Sequence, residues 1–348
     1  MTTVFGRRLT AAAALAAAWA AMLTAAPAFA DPENPVIALS NSFYGNTWRR
    51  QMVDAFTEAA EQAKADGKIA DYVVLNGDGS VNQQQSQLGE LILRGVDAIA
   101  INAASETALN GVMEQACAQG IKVVVFDSLA TADCAWKLSF DFTDYKTEQA
   151  EKTLELIGDE GNVLVVRGVS GSGPDNLMYA AQKAVLDQHP DVTVVGEVFG
   201  EATASVAQSA IANILPSLPH VDAVLAQGGS DDYGIAQAFE QAGGDYTASP
   251  PVIEGGGSSD FVLWWADRAE DGYRTTSMNT TPGIGGAAFW LAYALVKGAE
   301  PPMEMTMPVA VVDEANLAEM AEGLQPGFII SPSYDEAWVQ ENLVGAAQ

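Results

Sequence analysis

Asp97-Ala98-Ile99-Ala100-Ile101-Asn102 and Lys122-Val123-Val124-Val125-Phe126-Asp127 are two short apolar runs, each closing on a polar residue. Between them residues 106–119 carry apolar side chains at helical spacing. A continuously apolar run this short suits a strand buried on both faces of a parallel sheet, and a helix returns the chain to the starting edge. The segment therefore reads as one βαβ unit.

The same rhythm extends in both directions. Upstream, residues 36–40 and 72–76 read as strands, with helices at 47–65 and 82–94. Downstream, 136–142 is strand-like, and the alternation then restarts. Strands are expected at 162–167, 193–199, 222–227, 251–254 and 273–278, and helices near 144–157, 176–188, 205–215 and 233–242. Arg94-Gly95-Val96-Asp97-Ala98-Ile99-Ala100 is echoed by Pro219-His220-Val221-Asp222-Ala223-Val224-Leu225. The reading is an α/β fold of two similar lobes with parallel sheets. Its ligand belongs at the carboxyl ends of the strands, in the crevice between the lobes.

Composition limits the function. The chain has 348 residues, 49% of them hydrophobic, with a formal charge of −29 from 16 Lys+Arg and 45 Asp+Glu. Such a surface repels phosphate backbones, so no nucleic-acid partner is expected. Arg7 and Arg8, the alanine-rich stretch 9–26 and Pro27-Ala28-Phe29-Ala30 read as a signal peptide over residues 1–30, cut before Asp31. No later segment reaches 18 apolar residues. An exported, oxidising setting makes Cys117 and Cys134 one disulfide, worth roughly 3 kcal/mol in the chain-entropy account; two buried free thiols are the alternative.

Catalytic chemistry finds little support. His189 and His220 sit at element boundaries, and Gly171-Ser172-Gly173 lacks the spacing of a nucleophile elbow. Gly283-Ile284-Gly285-Gly286-Ala287-Ala288 has the glycines of a dinucleotide loop without the acidic residue that should follow it, so close helix packing explains it better. Asn76, Asp78, Ser80 and Asn82 alternate like calcium ligands but lack the EF-hand's glycine order and bidentate Glu. No catalytic residue, metal or cofactor is expected. The loops after the strands are instead rich in Asn, Asp, Gln and aromatics, groups that suit the hydroxyls and C–H faces of a sugar.

Those loops carry a family resemblance. Ser40-Asn41-Ser42-Phe43-Tyr44-Gly45-Asn46-Thr47-Trp48, Asn102, Asp127 in Val125-Phe126-Asp127-Ser128, and Asn279 in Ser277-Met278-Asn279-Thr280-Thr281-Pro282 resemble the ribose-type periplasmic sugar-binding proteins, the type I solute-binding proteins of ABC importers. The Cys117/Cys134 pair also resembles a branch of that family. The resemblance implies two Rossmann-like lobes joined by a three-segment hinge crossing near Asp141, Asn279 and Val309. The first lobe then comprises 31–140 plus 280–308, and the second 141–279 plus 309–348; the tail from Asp313 extends beyond the resemblance and is expected to pack on the lobes. It implies a non-enzymatic, monomeric periplasmic protein that closes on a small carbohydrate and docks on ABC permease subunits in the inner membrane. Tyr44 and Trp48 would offer apolar faces, while Asn46, Asn102, Asp127, Ser128 and Asn279 would meet hydroxyls.

The second lobe departs from the family. Met178 stands where an Arg clamp is usual, Ala202 replaces an aromatic, and Gly228-Gly229 and Gly256 replace Asn-Asp and Asp. These changes predict extra space and a ligand bulkier or less hydroxylated than a pentose. Asp175, Asn176, Gln227, Asp231 or Trp264 would supply new contacts. Alternatives are a nucleoside, a polyol or a furanose signal as ligand, or a sensor that presents its closed form to a chemoreceptor or histidine kinase.

Overall fold

The computed structural model describes residues 33–345, so the expected signal peptide lies outside the described residues. The first lobe runs β1 (Val36–Asn41), α1 (Thr47–Ala65), β2 (Asp71–Asn76), α2 (Val81–Arg94), β3 (Ala98–Asn102), α3 (Asn110–Ala118), β4 (Lys122–Phe126) and β5 (Trp136–Ser139). The second runs α4 (Phe142–Leu156), β6 (Gly161–Arg167), α5 (Gly173–Leu186), β7 (Val192–Phe199), α6 (Ala204–Ile214), β8 (Ala223–Ala226), α7 (Asp231–Ala242), α8 (Asp245–Ala248), β9 (Val252–Ile253) and α9 (Ser259–Ala269). After β10 (Ser277–Asn279) come α10 (Ile284–Val296), β11 (Glu304–Thr306), β12 (Ala310–Val312), α11 (Leu317–Ala321) and α12 (Glu336–Val339).

Both sheets are parallel throughout, in the orders β11-β5-β4-β3-β1-β2 and β7-β6-β8-β9. β3 and β8 are buried at every residue, as strands covered on both faces must be. α10 is apolar on all sides and almost wholly buried, which fits a helix inside the lobe rather than on its surface. A Cβ on Gly285 would stand 2.0 Å from the Met52 carbonyl oxygen of α1. The glycines of 283–288 thus serve close packing of α10 on α1. Cys117 and Cys134 are joined as a disulfide, Cα atoms 6.4 Å apart.

Three features differ from the sequence reading. The strand expected at 273–278 shortens to β10, which pairs antiparallel with β12 in a two-stranded hinge ladder. α9 was not expected from the pattern; Ser258 caps it by accepting from the Phe261 N–H at 3.1 Å, and Phe261, Val262 and Trp265 form its buried face. The tail does not stay with the second lobe: Leu317 lies in that lobe's core, but Tyr334, Val339 and Leu343 lie in the first lobe's core.

The returning segment makes a fourth connection between the lobes. On the second lobe, Ser259 N–H donates to the Phe328 carbonyl and Ile330 N–H to the Gly257 carbonyl, both at 2.8 Å. On the first, the Gln51 amide of α1 donates to Ile329 O at 3.1 Å and accepts from Ile329 N–H at 2.7 Å. Asn279 of the hinge donates to Ile330 O at 2.9 Å.

Candidate functional site

In the first sheet the strand order reverses between β1 and β3, and in the second between β6 and β8. Crevices at the carboxyl ends of strands beside such reversals are where open α/β sheets bind ligands. Here the two crevices face each other and form one cleft, lined from both lobes.

The first-lobe wall is built by the start of α1 and the end of β4. Asn46 caps α1, its Oδ1 accepting from Arg49 N–H at 2.9 Å. The next turn then directs Trp48 and Arg49 into the cleft. Trp48 is fixed by its Nε1–H donating to Thr280 O at 2.9 Å. Arg49 Nη2 lies 3.6 Å from Asp127 Oδ2. Asp127 has φ +56°, in the left-handed region that an Asp tolerates better than most residues and that recurs at functional sites. Burial lowers the Arg49 pKa and raises that of Asp127, each opposed by the partner's charge. Asn102 Nδ2–H also donates to Asp127 Oδ2 at 2.9 Å, favouring the ionised carboxylate.

The second-lobe wall combines committed polar groups with apolar ones. Asp175 accepts from Arg167 Nε at 3.1 Å, Arg167 Nη2 at 2.6 Å and Gly168 N–H at 3.2 Å. Gln227 accepts from Gly168 N–H at 2.8 Å and donates to Asp175 O at 3.2 Å. Phe142, Val169, Ser172, Pro174, Met178 and Ala202 also line this wall. Gly228 and Gly229 have φ +111° and +78°, and a Cβ on Gly256 would stand 2.3 Å from Gly228 Cα. Glycine at 228 and 256 thus permits two backbone segments to touch.

Of the residues singled out from sequence, Asn46, Trp48, Asp127 and Gln227 line the cleft, as does Asp175. Others stand behind it. Asn102 orients Asp127, Ser128 donates to Ala103 O at 2.8 Å, and Asn279 ties the hinge to Ile330. Asp231 is fully buried at the start of α7, accepts from Gly228 N–H at 3.3 Å, and is pushed well up in pKa by burial and by Asp232. Tyr44 and Asn176 are exposed and outside the lining. Trp264 is remote, its Nε1–H donating to Glu240 at 2.8 Å in α7. Sequence reasoning missed Arg49. The available signal was a cation three residues after the helix cap, on the same face as the cap, in a chain with few cations.

The lobes approach closely, leaving about 70 Å³ in the cleft rather than the extra room that the small second-lobe residues predict. Ligand pockets usually offer roughly 300 Å³ or more, so the cleft in this arrangement is too small for a ligand of that size. A larger open groove of about 910 Å³ lies by the start of β9, between Tyr246, Trp264 and Arg274, away from the strand ends that form the cleft. Among the described residues no cluster of His, Cys, Asp or Glu could hold a metal ion, and no helix is long and apolar enough to cross a membrane.

Comparison with known proteins gives a consistent picture. The family model described as periplasmic binding protein domain matches residues 37–300. A xylitol-binding protein of Mycolicibacterium smegmatis is 26% identical over 248 residues, covering 70% of this chain and 69% of the relative. The D-xylose-binding periplasmic protein of Escherichia coli is 27% identical over 251 residues, covering 70% and 74%. Among solved structures, an ABC transporter solute binding protein from Thermobispora bispora superposes with a TM-score of 0.83 at 38% identity, covering 90% of this chain and 96% of that one.

Proposed function

The chain belongs to the periplasmic binding protein family, of the ribose type, and from that premise we propose that it is the solute-binding component of an ABC importer for a sugar or polyol. The observation that carries the reading is the Arg49–Asp127 pair. It sets a fork of N–H donors beside a carboxylate acceptor at a strand-end crevice, next to the Trp48 ring. Vicinal hydroxyls of a sugar both donate and accept, and its C–H face packs on an aromatic. Relatives named for xylitol and D-xylose binding support the same ligand class.

The mechanism is closure rather than reaction. Ligand enters between parted lobes, bonds to Arg49, Asp127 and Asn46, and bridges to the wall of Gln227 and Met178. Its differential affinity for the closed form shifts the population of lobe arrangements. In this reading the protein works in the periplasm after removal of the leader, and its closed face docks on membrane permease subunits. Thermal unfolding of ligand-stripped protein against pentoses, hexoses, polyols, disaccharides and nucleosides tests the proposal. A ligand at a hundred times its dissociation constant raises stability by about 2.7 kcal/mol. A shift with nucleosides alone, or with nothing in the panel, would overturn the sugar assignment.

A further inference from the structure

We propose that the ligand turns an apolar edge, a deoxy carbon or a methyl substituent, toward the second lobe while its hydroxyls face the first. The inference rests on the sugar or polyol reading above and narrows it to one chemical class.

The two walls differ in what they leave free. On the first, Arg49 carries five N–H donors and makes only two long contacts, to Asp127 at 3.6 Å and to Asn41 Oδ1 at 3.5 Å. Asp127 Oδ2 accepts from Asn102 and retains further lone pairs. Both groups can therefore take hydroxyls.

On the second wall Asp175 and Gln227 spend most of their hydrogen-bonding capacity inside the lobe, and Ser172 accepts from Asp175 N–H at 3.3 Å. Arg167 and Gly168 donate three bonds to Asp175, and Gln227 accepts from Gly168 N–H and donates one of its two amide N–H groups to the Asp175 carbonyl. The surface between them is made by Val169, Pro174, Met178 and Ala202. The Met178 sulfur accepts the Tyr145 O–H at 2.9 Å, which holds the thioether in place behind the wall. A ligand hydroxyl pressed against Met178 and Ala202 would lose water and find no strong partner, whereas a C–H or methyl group would gain burial there.

Calorimetry with sugars matched except at one position reads this asymmetry. The pairs are L-rhamnose with L-mannose, D-fucose with D-galactose, and a mono-O-methyl inositol with myo-inositol, beside D-xylose, D-ribose, L-arabinose and xylitol. The deoxy or methylated member of a binding pair is expected to bind about tenfold tighter or more, the factor that follows from stranding one buried hydroxyl. Met178→Leu should keep that preference, and Met178→Gln should reduce it to less than about threefold by offering the hydroxyl a partner. Circular dichroism establishes that both variants fold, and the wild-type comparison stands without them. A fully hydroxylated compound that binds as tightly as every deoxy or methylated one overturns this inference and leaves the sugar reading intact. Binding of none overturns both.

Discussion

Arg49 Nη2 stands 3.6 Å from Asp127 Oδ2, beyond hydrogen-bond length, although both side chains are more than nine-tenths buried. The pair is close enough for each charge to stabilise the other but leaves its donors and lone pairs open toward the cleft. Replacing Asp127 by Ala should weaken ligand binding by about 1.5–3 kcal/mol, because a charged acceptor is lost. Calorimetric titration checks this, and unchanged affinity would remove Asp127 from the site.

A second ion pair sits inside the second lobe. Lys146 and Glu254 are fully buried, with Lys146 Nζ 3.3 Å from Glu254 Oε2, 2.7 Å from Gln149 Oε1 and 2.6 Å from Ala226 O. Lys146→Met strands a buried carboxylate and should cost about 3–5 kcal/mol in denaturant unfolding. Adding Glu254→Gln should recover part of that loss. If the double variant is no more stable than Lys146→Met alone, the pairing is not what the lysine contributes.

Asp232 gives the stability a pH dependence. Burial raises its pKa from 3.8 to about 7, and the Gly256 and Ser258 N–H groups, donating to Oδ2 at 2.7 and 3.2 Å, offset part of that rise by favouring the charged form. A folded-state pKa above the unfolded value means that the native state holds the proton more tightly. This group's contribution is therefore largest below pH 4, is lost as pH rises toward 7, and is constant above that. Asp232→Asn should show a smaller fall in melting temperature than wild type between about pH 4.5 and about pH 8. Equal falls in both proteins would assign the dependence to other groups.

Gln51 grips Ile329 through both amide atoms, joining the helix that carries Trp48 and Arg49 to the segment bonded to Gly257. Gln51→Ala removes two bonds to a half-buried backbone and should cost about 1–3 kcal/mol. It should also enlarge the ligand-free radius of gyration in small-angle scattering by releasing the fourth link. An unaltered scattering curve would show that the other three connections alone set the lobe separation.

The parallel core was legible because its strands are short apolar runs punctuated by helices of regular spacing, as at Lys122–Phe126. Cleft residues next to strand ends, such as Asp127 and Gln227, were legible for the same reason: a parallel sheet places its carboxyl ends at the crevice. Whether a side chain there faces the cleft or its own lobe was not. Asn102 and Asp127 end adjacent strands, yet Asn102 is fully buried and donates to Asp127, which lines the cleft with a positive φ. The tail was opaque because Tyr334, Val339 and Leu343 find their partners on helices far away in sequence. Trp264, one of the residues expected to supply a new ligand contact, sits instead on α9 with its Nε1–H on Glu240.

Trp48 gives the most direct test of the central claim, since it lines the cleft and is held by Thr280. Ligand-stripped protein would be titrated with the pentose, hexose and polyol panel while its tryptophan fluorescence is recorded beside that of Trp48→Phe. The account predicts a saturable change with at least one compound in the wild type, largely absent from Trp48→Phe although calorimetry still detects binding there. No saturable change with any of them, or a response that persists in full without Trp48, would contradict a sugar site between the lobes.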